Sequence, residues 1–228
     1  MNSENDNYIN RDNWRFQHLL KQTCKKGHPF NKFGIGNLET LNGTPGVRDD
    51  LLKFHKQYYS ANIMTFVVLS KYPIETMEKW AKTYFSEIPN KDLESPNVGS
   101  NPFGPDELGY HFHILRKSDN DLIQFYWPLD SLQKEYLDNP IDILSHLFGH
   151  EGNHSLFVLL KEEGLIEELL AGGWNEFKVL TSFTIKIKLT EKGFKEQDRV
   201  IEYVFAFIKM LLEKGIPKWV FDECQRKN

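Results

Sequence analysis

The sequence predicts an α+β fold, in which short strands and amphipathic helices alternate along 228 residues. Two observations indicate this class. Residues 183–189 alternate Phe, Ile and Leu with Thr and Lys, which is the period-two pattern of a strand with one buried face. Residues 200–212 repeat apolar side chains at helical spacing and are followed by Gly215, a residue typical of helix C-termini. A hydrophobic content of 40% is sufficient for a packed core.

Composition and charge argue against several classes of protein. A net charge of −4 without a long basic run is poor for a nucleic-acid-binding protein. The longest apolar stretches, 63–69 and 200–212, are too short or too interrupted by charge for a membrane span. The polar residues 1–6 do not resemble a secretory signal peptide. Cys24 and Cys224 lie far apart, so we expect no disulfide framework and a reducing compartment.

The first half of the chain predicts helices around one strand. Its apolar residues recur at helical spacing, except in a short Phe- and Val-rich run. The elements expected in order are a helix over 6–22, a loop over 28–46, a helix that begins at Asp49 or Asp50 and continues to residue 59, a buried strand over 63–69, and a helix over 74–85 that Pro73 opens.

Residues 89–109 lose all periodicity and contain several Pro and Gly residues, which is typical of a linker. We therefore divide the chain into a domain at 1–95, a linker at 96–109 and a second domain at 110–228. The elements expected after the linker are strands over 110–116 and 122–127, helices over 141–148 and 155–163, the strand over 183–189, the helix over 200–212 and a helix from 218. The helix from 218 contains no helix stop signal, so we expect that the chain is cut within this helix.

The segment from His150 to His154 fits the H-E-x-x-H pattern, in which two His residues on one helix face hold zinc and the Glu acts as a base. Gly152 and Asn153 disfavour the helix that this chemistry needs. No Glu follows at the spacing of a third ligand, where Trp174 stands instead. A junction between two helices is therefore the preferred interpretation, and an independent zinc site on His150 and His154 stays open.

Four segments carry a resemblance to known proteins. They lie at 28–41, beginning His-Pro-Phe-Asn-Lys-Phe, and at 51–64, 146–152 and 219–223. Together they closely resemble, in order and over essentially the whole chain, the insulin-degrading enzyme / pitrilysin / nardilysin family of zinc metallopeptidases. The resemblance implies two consecutive homologous αβ-layer domains of the insulinase type, both incomplete, from an enzyme that hydrolyses peptides in an enclosed chamber.

The resemblance also implies a zinc cofactor, held by an inverted H-x-x-E-H motif and by a Glu on a later helix. Reading back without gaps from His28 places Glu4 at the third-ligand position. Judged by itself, Glu4 is a solvated residue at a helix start, where the macrodipole favours a carboxylate. No H-x-x-E-H occurs in the sequence. We therefore expect that motif upstream of Met1, no catalytic residue here, and no activity or bound zinc for this chain alone.

In a second hypothesis, Met1 is the natural first residue of the protein. The protein would then be a non-catalytic paralogue or subunit that binds peptides or a partner, so whether it is an enzyme stays open. An in-frame H-x-x-E-H roughly 70 to 80 residues before Glu4 would favour the fragment instead.

The resemblance finally implies an exosite, where a backbone edge receives the N-terminal segment of a substrate by strand addition. The residues implied are Gly149, Leu169, Leu170, Ala171 and Gly172, with Trp14 matching an aromatic residue near the same surface; core packing is the alternative for Trp14. The expected partners are peptide substrates and the missing N-terminal and C-terminal domains of the same protein, without nucleic acid or membrane, and a homo-oligomer stays open. The expected localisation is cytoplasmic.

Overall fold

The structure, a computed structural model, describes residues 2–32 and 34–227. Its helices and its antiparallel sheet confirm the predicted α+β class. The chain forms two units: a smaller one from Met1–Asn5 and Gly34–Val98, and a larger one from Asp6–Phe33 and Gly99–Asn228. The boundary between the two units at Asn5 and Asp6 falls within helix α1 (Asn2–Ile9). None of the helices in the described ranges is long and apolar enough to cross a membrane.

The smaller unit contains three further helices, α3 (Leu38–Asn42), α4 (Val47–Tyr58) and α5 (Ile74–Phe85). The predicted helices over 49–59 and 74–85 are thereby confirmed. Helix α3 lies within the predicted loop over 28–46, where Asn37 and Thr40 form a capping box. The predicted buried strand over 63–69 is wrong, because residues 64–70 have no regular structure and Leu69 is 99% exposed. A strand requires a neighbour for its backbone groups, and the described part of this unit contains no strand.

The larger unit is built on a three-stranded antiparallel sheet. Its strands are β1 (Leu122–Leu129), β2 (Ile166–Phe177) and β3 (Leu180–Leu189), in the order β1-β3-β2. The predicted strands over 122–127 and 183–189 are confirmed. The predicted strand over 110–116 is wrong, because that segment is extended without a ladder partner among the described residues.

Helices cover one face of this sheet and form its core. They are α6 (Pro140–Phe148), α7 (Leu156–Glu162) and α9 (Gln197–Lys214), with the short α8 (Glu191–Lys195) and the terminal α10 (Lys218–Lys227) beside them. Ile185 and Ile187 of β3 are fully buried against Leu160, Val200 and Val204. Helix α9 ends at Gly215, whose φ of +74° fits the glycine stop signal.

The opposite face of the sheet is covered at one end only. The predicted helix over 6–22 is α2 (Asp12–Thr23), separated from α1 by residues 10–11. After α2, Phe30 packs edge-on against Phe103, with ring centroids 5.7 Å apart, and against Phe177 at 5.5 Å. Cys24 and Leu180 complete this second buried cluster. The sheet therefore keeps an open surface towards the start of β1 and along β2 as far as Trp174.

The Asp12 carboxylate fastens α2 to the turn before β1. It accepts hydrogen bonds from the backbone N–H groups of Lys117 and Ser118, both at 2.9 Å, and from the Ser118 hydroxyl at 2.8 Å. Arg15 lies 3.0 Å from the carboxylate and also donates to the carbonyl of Leu115. Led by the Ser118 backbone donor, these partners lower the pKa of Asp12 to about 2.

We predict that Asp12→Asn destabilises the protein by about 1–3 kcal/mol at pH 7, because charge-assisted hydrogen bonds are lost. The folded pKa lies below the unfolded value, so the contribution is fully present above about pH 4 and disappears as pH falls through about 2. Urea unfolding of both proteins between pH 7 and pH 2 measures this. Asp49→Asn, on the exposed face of α4, is the control and should change stability by less than about 0.5 kcal/mol. A gap between wild type and Asp12→Asn that stays constant down to pH 2 would contradict the assignment.

Candidate functional site

Strand β2 forms one edge of the sheet. Among the described residues it pairs with β3 alone, from Ile166 opposite Leu189 to Phe177 opposite Leu180. Backbone N–H and C=O groups on the far side of an edge strand are not used by the ladder and can pair with another extended chain. The predicted exosite residues from Leu169 to Gly172 all lie on this strand.

The two faces of β2 differ in exposure. Leu169 is 3% exposed and points into the helix-covered core, whereas Leu170 is 57% and Trp174 73% exposed on the open face. Side chains on neighbouring strands lie about 5 Å apart. A peptide added to this edge would therefore place alternate side chains beside Leu170 and Trp174.

Two consecutive glycines in β2 have different surroundings. A methyl group added at Gly173 would lie 2.3 Å from Cγ2 of Ile141, because α6 crosses the strand closely there. A methyl group at Gly172 would meet nothing within 4 Å. Gly173 is thus required for helix packing, whereas Gly172 leaves space on the open face.

The remaining predicted exosite residues lie on other elements. Gly149 ends α6, and its N–H donates to the carbonyl of Ser145 at 2.9 Å. Trp14 is half-buried on α2, where its ring lies 3.9 Å from that of Tyr8. The Tyr8 contact gives Trp14 a packing role, and an exosite role for Trp14 and Gly149 stays a prediction.

The region of His150 does not form the helix of an H-E-x-x-H site. Helix α6 ends at Phe148, and α7 begins after Ser155, whose hydroxyl accepts from the N–H of Val158 at 3.1 Å. The His150 ring lies 5.2 Å from the ring of Trp219. His154 has a φ of +64°, which an α-helix does not contain. The predicted helix junction is confirmed, and the zinc alternative lacks its helical scaffold.

Glu4 lies exposed on α1, within the smaller unit. A zinc site needs three or four protein ligands that converge. In the ranges that the structure describes, no group of three or more His, Cys, Asp or Glu side chains is arranged to hold a metal ion. The residues present therefore do not fit a complete zinc site, and Glu4 as one ligand of such a site stays a prediction.

Comparison with known proteins decides the family. A family model described as the peptidase M16 inactive domain matches residues 47–228. The chain belongs to this peptidase M16 family. It is 35% identical over 233 residues to insulin-degrading enzyme of Drosophila melanogaster, covering 100% of this chain and 24% of that protein. The crystal structure of pitrilysin matches 97% of this chain and 24% of its own, with 29% identity and a TM-score of 0.90.

A third M16 relative carries a name that mentions metal. It is the "Putative zinc protease C28F5.4" of Caenorhabditis elegans, 33% identical over 234 residues, which cover 100% of this chain and 27% of that protein. The resemblance read from the four segments is thereby confirmed. The chain spans about a quarter of the length of these M16 relatives.

Sequence reasoning missed β2 and one part-buried polar contact of this M16 chain. Tyr126 of β1 donates through its hydroxyl to Glu176 of β2 at 3.2 Å. Burial and the neighbouring Glu176 carboxylate raise the pKa of Tyr126, so this phenol stays protonated. The run 166–173 lacks strict alternation, because a register shift lies between Ile166 and Glu168 and two glycines follow. The two-residue turn between Phe177 and Leu180 is Lys178-Val179, which lacks the Gly, Asn or Asp that signals a tight hairpin in a sequence.

The two glycines provide a matched test of the β2 geometry. We predict that Gly173→Ala destabilises the chain by about 1–3 kcal/mol, because the added methyl group overlaps Ile141. Gly172→Ala should change the free energy of unfolding by less than about 0.5 kcal/mol. Denaturant unfolding of the two variants measures the difference. Equal losses would mean that α6 does not cross β2 at Gly173.

Proposed function

We propose that this chain is a peptide-binding region of a zinc-dependent metalloendopeptidase of the insulin-degrading enzyme type, which hydrolyses peptides in an enclosed chamber. Membership of the M16 family and the relatives named as insulin-degrading enzyme and zinc protease support this proposal. The sequence contains no H-x-x-E-H. We therefore propose that the chain alone is inactive and acts by holding the substrate.

Zinc in this proposal belongs to the complete protein. Glu4 would supply one carboxylate, and the other ligands and the general base would come from residues outside this sequence. Since the described residues form no complete metal site, no step of the hydrolysis is assigned to this chain.

The observation that carries the proposal is the free edge of β2. An extended peptide can add there as a fourth strand, using main-chain hydrogen bonds for affinity and neighbouring side chains for selectivity. Leu170 and Trp174 offer apolar contacts to alternate peptide side chains. Glu167 and Glu168 are exposed at the start of the strand, where Lys188 pairs with Glu167 at 2.5 Å.

We predict that the double variant Leu170→Ala/Trp174→Ala weakens binding of a fluorescein-labelled, extended peptide by roughly 1 kcal/mol, about fivefold in Kd. Fluorescence anisotropy measures the affinity. Leu212→Ala is the control, because Leu212 is also an exposed leucine but lies on α9, outside the sheet. An unchanged Kd in the double variant, or an equal loss in the control, would contradict peptide binding at β2.

A non-catalytic insulinase-like paralogue is the second candidate, in which the same edge binds peptides or a partner without catalysis. The coding sequence upstream of Met1 distinguishes the two. An in-frame H-x-x-E-H roughly 70 to 80 residues before Glu4 supports the peptidase. An authentic start codon at Met1 with no such motif supports the paralogue.

The rest of the same protein is the proposed partner of the smaller unit. Helices α4 and α5 expose large apolar side chains, including Leu51, Phe54, Ile74 and Tyr84. Relatives about four times longer than this chain have further segments that can cover such faces.

We also propose that the domains span residues 1–95 and 110–228. The proposed location is cytoplasmic, without a nucleic-acid or membrane partner, and a homo-oligomer stays open.

A further inference from the structure

Two histidines lie side by side on the segment that precedes β1. Residues 110–116 run extended, with Tyr110, Phe112 and Ile114 alternating with His111 and His113. In an extended chain, residues i and i+2 project from the same side. The centroids of the two imidazole rings are accordingly 4.5 Å apart, with an interplanar angle of 35°. Both histidines are exposed to solvent.

Contacts with α2 attach the end of this segment to the larger unit, and a local hydrogen bond orders its start. At its start, the Tyr110 hydroxyl donates to the carbonyl of Asp106 at 3.0 Å. At its end, Arg15 donates to the carbonyl of Leu115, and the Asp12 carboxylate accepts from the N–H groups just beyond it. The histidine pair is therefore arranged by the fold before any ligand arrives, which reduces the entropic cost of binding.

Two neighbouring imidazoles are a ligand set for late transition metals. Neutral imidazole suits Zn²⁺, Ni²⁺ and Cu²⁺, with metal–nitrogen distances of about 2.0–2.1 Å for zinc. Two nitrogens on one ion are thus at most about 4.2 Å apart. Rings whose centroids are separated by 4.5 Å are close enough for one nitrogen of each to reach a shared ion through a change of side-chain rotamer.

We propose that His111 and His113 form a two-imidazole binding site for a divalent late transition-metal ion, with water completing the coordination. Cu²⁺ binds more tightly than Zn²⁺ in such a site, following the general order of affinities. Because no third protein ligand converges there among the described residues, the site is open and its ion exchanges readily. The proposal stands apart from the peptidase zinc, since it uses neither Glu4 nor an H-x-x-E-H motif.

Another histidine pair is already engaged in side-chain contacts. His146 and His150 have ring centroids 5.8 Å apart. The Nε2 atom of His146 lies 3.2 Å from Oε2 of Glu223, and His150 packs against Trp219. Metal binding there would have to break these contacts between α10 and the end of α6, so this pair is the appropriate competitor in a test.

The test is calorimetric titration of the untagged chain with CuCl₂ in a non-chelating buffer. We expect one Cu²⁺ ion bound at this site per chain, and a loss of affinity on the order of tenfold or more in both His111→Gln and His113→Gln, because chelation by two tethered groups is lost. His55→Gln, an exposed histidine of α4, should bind as the wild type does. Paramagnetic broadening by Cu²⁺ should also appear first at the His111 and His113 ring signals.

Two results would overturn the proposal. One is wild-type Cu²⁺ affinity in both His111→Gln and His113→Gln. The other is loss of binding in His150→Gln alone, which would place the ion at the α6–α10 contact. Unchanged thermal melting of the variants in the absence of metal confirms that the exposed substitutions leave the fold intact, so a loss of affinity reports on the site.

Discussion

Strand β3 pairs along its whole length with β1 on one side and β2 on the other, and this double pairing organises the larger unit. Its odd-numbered residues from Phe183 to Leu189 are buried under the helices, whereas Thr184, Lys186 and Lys188 face the opposite side. Because side chains in a strand alternate strictly, a slip of one residue would turn the lysines into the core. The position of β3 therefore fixes the register of β1 and β2. It also determines the surface against which α6, α7 and α9 pack.

The free edge of β2 is a direct consequence of this arrangement. A central strand uses all its backbone groups, so the groups still available for pairing belong to the outer strands. The cluster around Phe30 and Phe103 covers the open face at the β2–β3 hairpin, whereas Leu170 and Trp174, farther along β2, are exposed. One sheet topology thus accounts for three features of β2. These are the proposed peptide site, the crossing of α6 at Gly173 and the open space at Gly172. The outer edge of β2 is the surface on which the proposed peptide site rests, and the described residues contain no complete metal centre.

Sequence patterns predicted the elements whose signals are local. The alternation in β3, the stripes of α4 and α9, and the stop at Gly215 depend on neighbouring residues only. The runs 63–69 and 110–116 failed because a strand also needs a partner, which a local pattern cannot supply. Strand β2 was missed because a register shift and two glycines interrupt its alternation. For the site, the resemblance implied Leu169 to Gly172, and their exosite role stays a prediction. The different surroundings of Gly172 and Gly173 could not be predicted, because they depend on the position of Ile141.

The central claim is that the outer edge of β2 receives an extended peptide, and residue-resolved amide hydrogen exchange tests it most directly. In the free chain, amides of β3 should exchange slowly, and alternate amides between residues 168 and 174 should exchange fast. Saturation with peptide should slow those β2 amides and leave the exchange of β1 unchanged. Protection confined to β1, or none on β2 although the peptide is bound, would contradict the account.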